Sequence, residues 1–316
     1  MKFGATFIWT SLVVLMAVAP TAMAQSDTPV FIDVGSRDVT GRRITRIAAG
    51  EIISILATTK RVPSVAVRAP GGLPVAELAG IKLSWERRTA ALLFSVEPWA
   101  DGLYTLITAQ LPFEIPASGI GAASIGASGG GCGELYLSVD GVESAGWRIC
   151  PILDRIRLLG TSCSVLYSTA CTGEAVHQTG GAVTSLSPAV PGEVLTVYAV
   201  GLGYMRRTPG ASISTGVMPL VTDTLVFPPK VIFEYSSDPV VRRRVPVPNG
   251  GLINEIRPEY MGAVPGQLGL YQINFVVPPY PPEVPRYIGS LSPNAMLSVA
   301  GVISEEGVGI FVKPPQ

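Results

Sequence analysis

Three short phrases occur twice in this chain, in the same order, and that duplication limits its architecture more than any other feature. "GEIISILATTK" from Gly50 is matched by "GEVLTVYAVGLG" from Gly192. "GLYTLITAQLP" from Gly102 is matched by "GLYQINFVVP" from Gly269, and "LSVDGV" from Leu137 by "LSVAGV" from Leu297. The offsets are 142, 167 and 160 residues, so the order is kept while the connecting lengths change. Two copies of one domain whose surface loops accept insertions behave this way.

Each phrase reads as a strand. Ile53, Ile55 and Ala57 alternate with Ile52, Ser54 and Leu56, and Leu195, Val197 and Ala199 repeat the inner set with Thr196 where Ser54 stood. Such period-two alternation places one set toward a core. In "GLYQINFVVP", Tyr271, Ile273, Phe275 and Val277 share a face, with Gln272 and Asn274 on the other. "GLYTLITAQLP" starts in the same phase with Tyr104 and Leu106, then changes to Ala109 and Leu111, and its proline arrives one residue later. This predicts a β-bulge inside the strand near Thr108. Gly141 and Gly301 close the third phrase, where a tight turn calls for positive φ.

Glycine (35) and proline (28) are too frequent for long helices, while 47% apolar residues supply ample core. The expected class is all-β. With 23 basic and 23 acidic residues, the composition gives no electrostatic case for nucleic acid or an anionic membrane. The basic run Arg242 to Arg244, set between valines and prolines, reads as a solvated edge. At the N-terminus Lys2, an apolar run to Val18 and the Ala22-Met23-Ala24 pattern read as a signal peptide of residues 1–24, cleaved before Gln25. Export to an extracellular, periplasmic or envelope location follows, with no membrane span in the mature chain. The remaining 290 or so residues suggest two domains, 25–156 and 157–316. The glycine-rich "SGIGAASIGASGGGCG" is then a loop inside the first.

All four cysteines lie within forty residues: Cys132, Cys150, Cys163 and Cys171. Their spacing lacks the pairs of a zinc site, and an even number in an exported chain points to disulfides. Three connectivities are open. The short loops favour Cys132–Cys150 and Cys163–Cys171.

"GEAVHQTGGAVTSLSPAVPGEVLTVYAVGLGY", "PEYMGAVPGQLGLYQINFVVP" and "NAMLSVAGV" together resemble an uncharacterised immunoglobulin-like C-terminal domain of secreted acidobacterial proteins. That family is similar to the IPT/TIG branch of immunoglobulin-like sandwiches. The first half resembles the upstream copy such proteins carry, with Ala57-Thr58-Thr59 where a glycine-bearing turn is expected. The resemblance implies two tandem immunoglobulin-like β-sandwich domains and brings no catalytic residues with it.

Chemistry is sparse. Gly126-Ala127-Ser128-Gly129-Gly130 fits the G-x-S-x-G string of hydrolases, but it lies in a glycine-rich loop rather than between strand and helix. His177, the one histidine, could serve Ser128 as a base, or be a turn residue before Gly180-Gly181. Asp140 and Glu143 are too few for calcium. No cofactor or metal motif is present. Trp85, Trp99 and Trp147 are assigned to sandwich cores or to the interdomain joint, and the exposed, stiff loop carrying Tyr280 and Tyr287 is the best place for a binding surface. The expected function is a non-catalytic structural, adhesive or recognition role, toward a protein or glycan at the cell surface. The alternative is a secreted polysaccharide-binding or glycoside-hydrolysing protein with an aromatic cleft.

Overall fold

Alternating apolar residues give strands one buried face each, and in this computed structural model those faces close over two cores. The structure describes residues 28–34, 45–60, 62–115, 132–161, 172–173, 175–207, 211–212, 214–220, 223–235, 255–280, 293–302 and 305–314. The predicted signal peptide, the glycine-rich loop as far as residue 131, Cys163, Cys171, Ser128, the Arg242 run and Tyr287 lie outside the described residues. Within them, every regular element is a strand except one 3-10 turn at Pro70–Gly72.

The first half contributes β1 (Val30–Val34), β2 (Thr45–Ala48), β3 (Ile52–Thr58), β4 (Ile81–Trp85), β5 (Thr89–Trp99), β6 (Tyr104–Gln110), β7 (Gly133–Val139) and β8 (Trp147–Ile152). They form one hydrogen-bonded path, β1-β3-β6-β5-β4-β7-β8-β2, that folds over at β5. The early residues of β5 pair with β4 and the later ones with β6, and a register shift between Leu93 and Ser95 turns the strand from one layer to the other. Ile53, Ile55 and Ile107 from one layer meet Leu83, Leu135, Leu137 and Ile149 from the other in a single core.

The second half repeats the scheme with β9 (Ala175–His177), β10 (Val194–Val200), β11 (Lys230–Tyr235), β12 (Glu255–Ile256), β13 (Tyr260–Ala263), β14 (Tyr271–Val276), β15 (Ala295–Ala300) and β16 (Glu305–Ile310). One layer runs β9-β10-β14-β13 and the other β16-β15-β11-β12. In both copies the segment before the strand of the first phrase runs parallel to the end of the sandwich's last strand: β2 along β8, and Ala189 bridged to Val312. All other pairings between these numbered strands are antiparallel. Strands A, B, E and D in one layer and C, F and G in the other define the immunoglobulin-like sandwich, and the chain contains two of them in tandem.

The repeated phrases correspond with one displacement. Ile53, Ile55 and Ala57, and Leu195, Val197 and Ala199, all face their cores as the alternation predicts. The predicted bulge near Thr108 is absent. The β3–β6 ladder runs unbroken from Ile52–Gln110 to Ala57–Thr105, and Thr105, Ile107, Ala109 and Leu111 are all buried. Ala57 faces Thr105, whereas its counterpart Ala199 faces Tyr271. The extra residue therefore lies in the turn before the strand, where Ala100 and Asp101 take positive φ (49° and 56°), and Tyr104 stays out of the first core whereas Tyr271 enters the second. The ladder follows the buried Ile107 and Ala109 rather than the tyrosine. Gly141 has the expected positive φ of 85°, but Gly301 does not. A Cβ at Gly301 would lie 2.4 Å from the Asp154 carboxylate, which accepts the Val302 N–H at 2.7 Å.

The two sandwiches are joined by more than a linker. Phe113, just past β6, is buried in the second core beside Met205, Leu268 and Tyr271. Its N–H donates to Thr215 Oγ1 at 2.8 Å, and Gln110 Oε1 accepts the Gly216 N–H at 3.2 Å. Glu114 takes both the N–H and the hydroxyl of Thr215. Tyr204 donates its hydroxyl to the Ile115 carbonyl at 2.7 Å. Gly50 leaves the space that Phe113 occupies, since a Cβ there would lie 2.0 Å from the ring.

Candidate functional site

The arrangement nearest to a catalytic one surrounds His177. Its Nδ1 lies 2.6 Å from Glu193 Oε1, while Nε2 lies 3.0 Å from the Ser187 carbonyl and 3.2 Å from Ser187 Oγ. A serine base needs a bare Nε2 to accept the hydroxyl proton. The Ser187 carbonyl, which can only accept, occupies the nitrogen that such a base would keep bare. Through its two ring nitrogens His177 ties the end of β9 to the loop before β10. Sequence reading placed His177 at a turn, and Gly180 N–H does bond its carbonyl at 2.9 Å. It gave no hint of Glu193, sixteen residues away.

The remaining predicted positions are drawn into the scaffold. Cys132 and Cys150 form a disulfide tying the start of β7 to β8. Trp85 is buried in the first core, and a Cβ at Gly133 would lie 2.3 Å from its ring. Trp147 packs on Phe31 with ring centroids 5.8 Å apart, and Trp99 ends β5 half-buried. Asp140 sits in the turn after β7 with φ of 48°, and Glu143 is engaged by Arg87 Nε at 2.6 Å. The Arg87 guanidinium lies 3.6 Å above the Tyr136 ring. Among the described residues no group of three or more histidine, cysteine or acidic side chains could hold a metal ion. Tyr280 is half-buried against Tyr235, 4.6 Å between centroids, and Tyr235 donates to the Pro278 carbonyl at 2.7 Å. Burial pushes the Tyr235 hydroxyl pKa above its usual value. These rings continue inward through Phe233 and Phe275, so Tyr280 extends a core ladder to the surface.

Buried charge organises the insertion between β10 and β11. Arg207 donates through Nε and Nη2 to the two oxygens of Asp223, each at 3.0 Å, and Asp223 has no exposed side-chain surface. The guanidinium holds the Asp223 carboxyl below the usual carboxylate range. The crevice between the sandwiches, lined by Gln110, Phe113, Val217 and Pro219, admits no more than a water molecule.

What stands open is the outer face of the second sandwich. Thr196 lies opposite Asn274, which lies opposite Tyr260; Tyr198 lies opposite Gln272, which lies opposite Gly262. Thr196 Oγ1 donates to Asn274 Oδ1 at 3.0 Å and Gln272 Nε2 donates to the same oxygen at 2.8 Å. The Tyr260 phenol lies back along its own strand, donating to the Ala263 carbonyl at 2.7 Å and covering Gly262. Alternation placed Gln272 and Asn274 on this face. Their neighbours across the sheet needed the register.

No family model and no curated protein matches the chain. Among solved structures, it is similar to Dpr2 Ig1-Ig2 in complex with DIP-Theta Ig1-Ig3, at 10% identity and TM-score 0.24, covering 91% of this chain and 100% of that one. It is also similar to Titin-A168169, at 8% identity and TM-score 0.19, covering 91% and 99%. At such scores these likenesses add nothing to the strand order, which alone carries the immunoglobulin-like assignment. Among the described residues no helix is long and apolar enough to cross a membrane.

Proposed function

We propose that the chain is an exported, non-catalytic recognition or adhesion protein of the cell envelope or its exterior, built from domains 25–156 and 157–316. It would belong with the acidobacterial C-terminal domains of IPT/TIG type that its second half resembles. The observation that supports this best is the joint. Phe113 enters the second core, and the hydrogen bonds around Thr215 fix the two sandwiches to one another, so their surfaces are presented in a set relation. The polar clusters nearest to catalytic form, around His177 and Arg207, are spent on holding loops. Binding surfaces on rigid scaffolds lose little entropy on association.

The reading is tested on the mature chain, with N-terminal sequencing of the exported protein, envelope fractionation, and binding screens against cell-surface proteins and glycans. Cleavage before Gln25 and capture of a surface ligand are expected. Hydrolysis of a polysaccharide by the purified chain, or retention in the cytoplasm, would overturn it.

A further inference from the structure

We infer that copies of this chain dock head to tail, the far end of the second sandwich fitting the near end of the first sandwich in another copy. This goes beyond the recognition reading above and does not depend on it.

The joint inside the chain shows which surfaces fit. There the first sandwich presents the Ala48–Glu51 turn, Ile52 and Phe113, and the second presents the turn before β14. Leu268 of that turn is buried in the crevice with Gln110 and Phe113, and a Cβ at Gly269 would lie 2.6 Å from Ile52 Cγ1. Strand direction fixes which ends are left over. β3 runs away from the joint, from Ile52 to Thr58. β10 runs toward it, from Val194 to Val200, and the next carbonyl, of Gly201, accepts the Arg155 N–H at 2.7 Å. The near end of the first sandwich and the far end of the second therefore both lie away from the joint.

Each free end repeats one half of the joint, with its apolar residues uncovered. At the far end Val190–Glu193 is the counterpart of Ala48–Glu51. Ala48 is fully buried, whereas Val190 is 50% exposed. Phe113 fills the space beside Gly50. Tyr280 follows its strand through Pro278 and Pro279, much as Phe113 follows Pro112, but it packs on Tyr235. A Cβ at Gly192 would meet no described atom within 4 Å. His177 holds the Thr184–Ser187 turn next to Glu193, and Leu186 on that turn is 96% exposed. At the near end the turn before β6 is the counterpart of the turn before β14. Leu103 there is 61% exposed, Val30 at the same end of the sheet is 48% exposed, and Trp99 lies opposite Tyr104.

Exposed apolar residues thus gather at both ends of a chain whose middle already joins these two kinds of end, and such patches mark contact surfaces. The two ends differ, so the contact is heterologous and does not close: every docked copy leaves one end of each kind free. Being apolar, it is little screened by salt.

The test is sedimentation velocity on the chain beginning at Gln25, at concentrations up to about 1 mM. The weight-average mass should climb past that of a dimer without levelling off, alike at low and high salt. Leu103→Asp blocks the near end and Val190→Asp the far end, with Leu186→Asp as a second far-end block. All three positions are exposed, so thermal midpoints should stay near that of the parent. Each variant alone should associate about tenfold more weakly or less still. An equimolar mixture of a near-end and a far-end variant should form a dimer and stop, because only one usable end of each kind remains. A parent that stays monomeric, a parent that stops at a closed dimer, variants that associate as the parent does, or a mixture no more associated than its components would each overturn the inference.

Discussion

Glu51 and Glu193 make the same local contacts in the two sandwiches and meet opposite surroundings. Each carboxylate accepts the amide of the residue three before it, Ala48 at 2.8 Å and Val190 at 3.0 Å, and each returns its own N–H to that residue's carbonyl. Gly50 and Gly192, just ahead, both take positive φ (73° and 88°). Glu193 then meets His177, whereas Glu51 is buried at the joint near Arg155, Arg157 and Tyr271.

Burial pushes the Glu51 pKa above its ordinary 4.5, against the opposing pull of Arg155 and Arg157 and of the Ala48 amide. The folded chain then holds this proton to higher pH than the unfolded chain. Its contribution to stability is full below 4.5 and falls as pH rises toward the folded value. Glu51→Gln keeps an oxygen for Ala48 and never charges. Urea midpoints of parent and variant should lie close at about pH 4 and separate toward pH 7, the variant being the more stable. Parallel profiles would count against this. Glu193→Gln should destabilise instead, because it weakens the tie to His177.

Phe113→Ala removes a ring that the first sandwich lends to the second core, and should cost about 3 kcal/mol. Beyond residue 24 the tryptophans are Trp85, Trp99 and Trp147, all in the first sandwich, so in a chain beginning at Gln25 fluorescence reports that half alone. The variant should show a far-ultraviolet circular dichroism transition at lower urea than the fluorescence transition. Coincident, unmoved transitions would refute the role given to Phe113.

The Cys132–Cys150 bond closes a loop across a sequence separation of 18. Replacing both cysteines by serine should lower the stability of the first sandwich by about 3 kcal/mol, read by tryptophan fluorescence. Non-reducing peptide mapping of the parent should recover this pair and, as we propose from spacing, Cys163–Cys171.

Asp223 depends chiefly on Arg207, whose hydrogen bonds lower its pKa from 3.8. The stability it contributes is present above 3.8 and is lost as pH falls through the lower folded value. Asp223→Asn should therefore unfold more easily at neutral pH and show a flatter acid limb. An unchanged midpoint at pH 7 would rule this out.

The strands, the duplication and the inward-facing residues were legible because period-two alternation is a local signal. The phase of β6 was misread because three matching letters, Gly-Leu-Tyr, outweighed the apolar run Ile107, Ala109 and Leu111 that sets the register. Phe113 could not have been placed: its partner Thr215 is 102 positions on, and a phenylalanine after a proline does not say which core it enters. The Arg207–Asp223 pair hid in an insertion without alternation. The outer face of the second sandwich was half visible, since alternation showed Gln272 and Asn274 but only the pairing brought Tyr198 and Tyr260 beside them.

A duplicated domain can ordinarily be cut out and moved to another chain. Phe113 takes that freedom from the second sandwich, which would leave with an aromatic-sized hole unless the end of β6 went with it. Shuffling or expressing this half alone would have to respect a seam that runs through the neighbour's strand and not through the linker. The two copies share one order of strands, and one depends on the other.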